Sequence, residues 1–158
     1  MRVLICLSGL EGRTFVTHAL ARLPNVGVEL ALLYVIDTRP ADDLGYVRRT
    51  FFPGRVRDRD DDRAHAEDEI VREVLSEVIE VCEAVAPTIG ITDRIIRRGH
   101  PQHEIITMAQ SHAVDLIVIG SRHHGAALTG PRSIGHVARF VLDHAPCDVL
   151  LLRSISEQ

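Results

Sequence analysis

A set of nearly continuous apolar runs limits the folds that this chain can adopt. Residues 2–7, 28–36, 115–120 and 148–152 consist mostly of aliphatic and β-branched side chains. Runs of this length without polar alternation are typical of strands covered on both faces, as in a parallel sheet. Residues 91–98 predict a weaker strand between the second and fourth runs. The chain therefore predicts five strands in a buried parallel sheet.

Helical patterns separate these runs. The clearest helix is predicted from about Arg63 to Val85, where apolar residues recur every three or four positions. Its stripe comprises Ile70, Val71, Val74, Leu75, Val78, Ile79 and Cys82. Shorter helices are predicted before Pro24, from Pro101 onward, and from about Ile134 to His144. Alternating strands and helices indicate a doubly wound α/β sheet in one domain spanning residues 1–158.

Composition excludes several classes of function. The net charge of −4 and the isoelectric point near 6.1 argue against a nucleic-acid partner. All 18 cationic residues are arginine, which excludes the P-loop lysine and Schiff-base chemistry. No apolar run approaches the roughly 18 residues that a membrane span needs, and the first residues lack a secretory pattern. We therefore expect no membrane partner.

Three widely spaced cysteines lie in apolar surroundings. Cys6, Cys82 and Cys147 form no CxxC pair and no cysteine–histidine metal spacing. Buried free thiols in a reducing compartment explain them better than a metal site does. We expect a cytoplasmic protein.

The one long connection covers residues 37–62. A loop of this length is typically functional or mobile. It ends in an acidic run that includes residues 60–62, which we expect to place negative charge at the N-terminus of the following helix. Consecutive carboxylates converge poorly on a cation, so a solvated loop is favoured over a metal site.

The glycine-rich turn after the fourth run carries the clearest functional signal. From Gly120 to Gly135 the chain contains four glycines and then enters a helix. Such a turn presents backbone N–H groups and the positive end of the helix dipole to a phosphate. Arg122 and Arg132 add charge, and Ser133 is placed to cap the helix or reach a phosphate. The alternative is that these glycines merely close a tight loop.

Four segments together resemble the universal stress protein family. Asp115-Leu116-Ile117-Val118-Ile119-Gly120-Ser121-Arg122 is similar to its signature ADLIVMGSRG, and His144-Ala145-Pro146-Cys147-Asp148-Val149-Leu150-Leu151 to its ending HAPCPVLVV. Arg98-Gly99-His100-Pro101 with Glu104-Ile105-Ile106 resembles the family's G-x-P-x-E-x-I turn, and Leu32-Leu33-Tyr34-Val35-Ile36-Asp37 resembles LLHVVD. Their order and spacing cover nearly the whole chain, from residue 3 to residue 152.

The resemblance implies a Rossmann-like five-stranded parallel sheet flanked by four helices, a homodimer, and ATP, with or without Mg²⁺, bound at a G-x2-G-x9-G-[ST] pattern. It implies an adenosine side lined by Cys6, Leu7 and Ser8, with Val35 beside the base. It places Ile119, Gly120, Arg122, Gly125, Gly135, His136 and Val137 around ribose and phosphates.

The chain departs from that pattern at three places. Gly125 and Gly135 keep the nine-residue gap, but four residues instead of two separate Gly120 from Gly125. His136 replaces the family's Ser or Thr. Ser8 replaces the Asp of the first loop, and its hydroxyl can bond a ribose but brings no charge.

These features favour an ATP-binding regulatory protein of the stress response, with an unidentified protein partner. The alternative is a nucleotide-free dimeric module that acts by protein contact alone. His100, His123, His124 and His136 raise a zinc site as a weaker option, since no helical metal spacing is present. No catalytic arrangement follows from the spacing, so we expect at most slow ATP hydrolysis.

The last strand predicts the dimer contact. Val149, Leu150, Leu151 and Leu152 are apolar on both faces of a strand that should lie at a sheet edge. Such an edge offers unpaired N–H and C=O groups to a second copy.

Overall fold

The computed structural model describes residues 1–7, 13–38, 57–121 and 134–153. Over these ranges the chain alternates strictly between strands and helices. The elements are β1 (Arg2–Leu7), α1 (Arg13–Leu20), β2 (Glu29–Asp37), α2 (Arg57–Val85), β3 (Gly90–Gly99), α3 (Pro101–Ser111), β4 (Leu116–Gly120), α4 (His136–His144) and β5 (Asp148–Leu152). The predicted five strands and four helices are thus all present among the described residues.

The five strands form one parallel sheet in the order β3-β2-β1-β4-β5. From β1 the chain winds outward through β2 to β3, and then crosses back to β4 and β5 on the other side. The strand order therefore reverses between β1 and β4, which makes this the topological switch point. The doubly wound, Rossmann-like α/β fold predicted from the sequence is confirmed.

Helices cover both faces of the sheet, and each face has its own apolar core. On one face α1 and α2 pack on alternate residues of the central strands, including Ile5, Leu30 and Leu32. On the other face α3 and α4 pack on the intervening residues, including Leu4 and Leu33. Each central strand is buried on both sides, which explains why its sequence shows no polar alternation.

The second helix differs from its prediction. It begins at Arg57 instead of about Arg63, so residues 57–62 are helical and the acidic run lies inside the helix, not before it. Ile70, assigned to the buried stripe, is 57% exposed, whereas its neighbour Val71 is 2% exposed. The inner face follows the positions of Val71, Leu75, Val78 and Cys82, and Ile70 lies about 100° away from Val71 around the helix axis.

Two other boundaries shift slightly. Helix α4 starts at His136, two residues after the predicted Ile134, because Gly135 has a non-helical backbone with φ 88° and ψ 155°. Strand β3 extends one residue beyond residues 91–98 at each end.

Strand β5 occupies one edge of the sheet, as predicted, and β3 occupies the other. In β5 only Leu152 is buried, while Val149, Leu150 and Leu151 are half-buried. Its partner in the sheet is β4, with Ile117 opposite Val149 and Gly120 opposite Leu152.

Candidate functional site

The carboxyl ends of β1, β2 and β4 lie side by side at the switch point. Leu7 is opposite Tyr34, so Val35 extends one residue beyond the end of β1. Ile5 is opposite Val118, so the ends of β1 and β4 project from the same edge. This register brings Cys6, Leu7, Val35, Ile119 and Gly120 to one edge of the sheet.

Alternation along the strands divides these residues between the two faces. Cys6, Val35 and Ile119 belong to the core beneath α3 and α4, whereas Leu7 faces the core beneath α1 and α2. Cys6 and Ile119 are each 5% exposed, and Val35 is half-buried. On the α3–α4 side the strand ends are therefore apolar, and Cys6, Val35 and Ile119 together are called the apolar wall.

Helix α4 begins at this edge with Gly135 as its N-cap. A glycine cap has no side chain to occupy the end of the helix, and its φ of 88° with ψ of 155° is a conformation that essentially only glycine adopts. The first helical residues, His136 and Val137, follow it. The positive end of the α4 dipole therefore lies at the edge where the strands end.

The turn from β3 into α3 lies at the carboxyl ends of the strands, next to the end of β2. Gly99 has φ 156°, and Glu104 folds back so closely that a Cβ on Gly99 would lie 2.9 Å from its Oε1. The Gly99 carbonyl accepts a hydrogen bond from the Thr38 N–H at 3.3 Å, which ties this turn to the end of β2. Pro101 then begins α3.

Gln102, the second residue of α3, was missed by the sequence reasoning. Its side-chain Oε1 is buried and has no hydrogen-bond partner, the only such atom among the side chains that the structure describes. Its spacing was an available signal. Gln102 lies three residues before the buried Ile105 and seven before the buried Ala109, which places a polar side chain on the apolar face of the helix.

Several residues proposed from the sequence lie outside the described ranges. They are Ser8, Arg122, Gly125, Arg132 and Ser133. The structure therefore places the strand-end and helix residues of the predicted site at one edge, and Val149, Leu150, Leu151 and Leu152 at β5.

The described part of the chain contains neither a metal-binding cluster nor a helix that could span a membrane. No group of three or more histidine, cysteine, aspartate or glutamate side chains is arranged to hold a metal ion there. His123 and His124 lie outside it. Among the described helices, none combines the length and apolar character needed to cross a membrane.

The family model and the related sequences all point to one protein family. The sequence model of the Universal stress protein family matches residues 1–153. A universal stress protein of Methanothermobacter thermautotrophicus is 34% identical over 61 residues, which are 39% of this chain and 40% of that protein. Universal stress protein YxiE of Bacillus subtilis is 34% identical over 93 residues, 56% of this chain and 62% of that protein. These alignments span less than two thirds of the length of either relative.

Solved structures share the fold over the whole chain. Universal stress protein UspA from Lactobacillus plantarum has a TM-score of 0.59 at 25% identity, covering 97% of each chain. An Arabidopsis thaliana family protein with AMP bound has a TM-score of 0.60 at 15% identity, covering 99% of this chain and 93% of that one. A universal stress protein in complex with cAMP has a TM-score of 0.55 at 17% identity, covering 97% and 96%. At such identities the last two show the fold alone. Together with the family match over residues 1–153, the topology establishes that this chain belongs to the universal stress protein family.

Proposed function

We propose that this universal stress protein binds an adenine nucleotide at the switch point between β1 and β4. The observation that carries the proposal is the N-terminus of α4, which is capped by Gly135 on the same edge as the apolar wall of Cys6, Val35 and Ile119. A base and a phosphate chain need these two surfaces side by side. Structural neighbours with bound AMP and bound cAMP support the same ligand class.

The residues present fit an adenosine phosphate. The base would lie on the α3–α4 side of the strand ends, beside Val35. The phosphates would lie at the N-terminus of α4, beside the Gly135 cap, which has no side chain there. By the family pattern, Leu7 and Ser8 would lie on the ribose side and Gly120, Arg122 and Gly125 around the phosphates. Arg132 and Ser133, proposed from their charge and hydroxyl in the same turn, would add further phosphate contacts. We propose ATP, with Mg²⁺, as the bound form.

We propose a regulatory role in the stress response for the bound nucleotide, with at most slow hydrolysis. Its occupancy would bias contact with a protein partner. A homodimer through β5 is part of this proposal, supported by the half-buried Val149, Leu150 and Leu151 at a sheet edge. The same edge supports the alternative of a nucleotide-free dimeric module. Three unbridged cysteines favour a cytoplasmic location.

The direct test is nucleotide content followed by calorimetry. Protein purified without added nucleotide is denatured, and the released small molecules are identified by absorbance and mass spectrometry. Stripped protein is then titrated with ATP and AMP, with and without Mg²⁺. We expect a saturable heat signal with ATP. No co-purified nucleotide and no signal at millimolar ATP would leave the nucleotide-free module as the function.

A glycine pair tests the position of the phosphates. Gly135→Ala places a Cβ at the start of α4 and should abolish binding, but its positive φ also predicts a stability loss of about 1–3 kcal/mol. Gly27→Ala is the matched control, because Gly27 also has a positive φ of 76° but lies before β2, at the amino ends of the strands and away from the proposed site. We expect the control to lose stability and keep its affinity for ATP. Equal affinities in both variants would contradict a phosphate site at α4.

A further inference from the structure

Strand β3 leaves one side of its backbone open. It pairs with β2 on one side, and no other described strand lies beyond it. At its end the Gly99 carbonyl accepts a hydrogen bond from the Thr38 N–H, so the backbone groups of Gly99 point toward β2. Backbone direction alternates along a strand, and the N–H and C=O groups of Arg94, Ile96 and Arg98 therefore point to the open side.

This edge lacks several of the features that usually block the addition of another strand. β3 has ten residues and contains no proline. Its register irregularity lies opposite Leu30 and Ala31, near its start, and the stretch from Arg94 to Gly99 pairs regularly with β2. Short edge strands, prolines and bulges are common ways to prevent strand addition, as are charged side chains. Among the residues that the structure describes, charge is the control that remains.

The charge of β3 is positive in a chain that is acidic as a whole. The strand carries three arginines and one aspartate, a net charge of +2, whereas the whole chain has a net charge of −4. Arg98 pairs with Glu67 and Asp68 of α2. Arg94 and Arg97 are exposed, and neither forms an ion pair or a side-chain hydrogen bond with any described residue. These two guanidinium groups are available to a partner.

The two unpaired arginines lie on opposite faces of the edge. Ile95 packs with the core beneath α3 and α4, and Arg97, two residues further, shares that face. Arg94 and Ile96 belong to the other face, together with Arg98. A strand added beside β3 would therefore meet an unpaired cation on each face and an isoleucine that is 39% exposed between them. A second copy of β3 would bring like charges together, whereas carboxylates would meet opposite charges.

We propose that the open side of β3 binds an extended, acidic segment of a partner protein by strand addition. The backbone groups of Arg94, Ile96 and Arg98 supply the hydrogen bonds, and Arg94 and Arg97 select aspartate or glutamate side chains. Ile96 offers the added strand an apolar contact. This gives the protein partner of the proposed function a surface and a chemistry, and it does not depend on nucleotide binding.

The test uses three fluorescently labelled synthetic peptides with capped ends. In the first, pairs of glutamates alternate with pairs of valines, so that an extended chain carries carboxylates on both faces. The second has lysine in place of glutamate. The third is the first with methylated backbone amides, which cannot donate hydrogen bonds to a strand edge. Fluorescence polarisation should show saturable binding of the first peptide, weakened by salt, and much weaker binding of the other two.

Charge reversal on the protein locates the bound peptide. Arg94→Glu should weaken binding of the acidic peptide about tenfold, because an attractive pair becomes a repulsive one. Arg139→Glu makes the same change of charge at an exposed position of α4 and should bind like wild type. When Arg94→Glu and Arg97→Glu are combined, the lysine peptide should bind better than the acidic one. Melting temperatures should stay near that of wild type, because both arginines are exposed.

Several results would overturn the proposal. Equal binding of the methylated peptide would mean that the strand edge takes no part, and no saturable binding of the acidic peptide would exclude an acidic partner strand. Equal weakening by Arg94→Glu and Arg139→Glu would mean that only overall charge matters. A change in the mass of the protein caused by Arg94→Glu would assign β3 to a second copy of the chain. Absence of ATP binding in the same preparation would contradict the proposed function alone.

Discussion

Ile70 and Val71 are neighbours on α2 with opposite environments. Ile70 is 57% exposed and Val71 is 2% exposed, although both are β-branched aliphatic residues within one helical stripe of the sequence. Local periodicity identified the helix but assigned one residue too many to its inner face. Only the packing of α2 against the sheet selects which side chains lose their contact with water.

These two residues give a matched stability test. Val71→Ala removes two buried methyl groups and should lower the free energy of unfolding by about 2 kcal/mol. Ile70→Ala removes a larger side chain that is mostly exposed to solvent, and should change the free energy of unfolding by less than about 0.5 kcal/mol. Urea denaturation of both variants measures the difference. Equal losses would mean that Ile70 is covered in solution.

Cys82 makes stability depend on pH in the alkaline range. Burial, and to a lesser extent the nearby charge of Glu83, raises the pKa of this thiol from 9.0 to about 11. Below pH 9 the thiol is protonated in the folded and the unfolded chain, so its contribution to stability is complete. As the pH rises from 9 to 11, the unfolded chain releases the proton and the folded chain retains it, so stability is lost across this window.

The free energy of unfolding, measured as a function of pH, tests the direction of this change. Between pH 8 and pH 11 the wild-type free energy of unfolding should fall more steeply than that of Cys82→Ala. The variant starts from a lower value because it leaves a small cavity, but the slope is the relevant quantity. Parallel profiles would show that Cys82 does not titrate differently in the two states.

Among the secondary-structure elements, the two edge strands differ in how well they could pair with a second copy of the chain. Strand β5 is short and carries half-buried leucines, whereas β3 is longer and mostly exposed, with Ile96 at 39% exposure. Beside β3, Arg98 forms ion pairs with Glu67 and Asp68 of α2, which places charge along that edge. Charged side chains discourage edge-to-edge association, so β5 is the better dimer contact.

Two lysine substitutions separate the edges. Leu150→Lys should convert a β5 dimer into monomer or insoluble protein, because it buries a charge in the contact. Ile96→Lys places the same charge on β3 and should leave the dimer intact. Sedimentation at micromolar concentration gives the masses. A wild-type mass near the single-chain 17.5 kDa would exclude the dimer, and dissociation by Ile96→Lys alone would assign it to β3.

At the scale of the whole molecule, nucleotide binding should stabilise the fold, because the site is assembled from elements distant in sequence. Cys6 and Gly135 come from opposite ends of the chain, and unfolding separates them. ATP at one hundred times its dissociation constant should raise the free energy of unfolding by about 2.7 kcal/mol. For a domain of this size the melting temperature should rise by roughly 5–10 °C.

Two fragments of ATP show how much of the rise in melting temperature comes from the base and how much from the phosphates. Adenosine and inorganic triphosphate are each tested alone at the same concentration as ATP. We expect each to raise the melting temperature by less than ATP does, because each engages only one of the two adjacent surfaces. A full shift with triphosphate alone would mean that the protein recognises only phosphate.

The strands, the helices, the doubly wound class and the family could be predicted from the sequence, because these depend on local periodicity and on the order of motifs along the chain. Continuous apolar runs such as residues 28–36 are typical of strands covered on both faces, and Pro101 favours a helix start by its fixed φ. The edge position of β5 also followed, since the last strand of this winding lies outermost.

Which residues meet at the switch point could not be predicted from the sequence. Register and crossover place Cys6 beside Ile119, residues separated by most of the chain, and the same packing turns Ile70 outward. It also buries the Gln102 Oε1, which has no hydrogen-bond partner among the described residues. Burial and hydrogen-bond satisfaction depend on neighbours supplied by other elements, and no local pattern in the sequence specifies them.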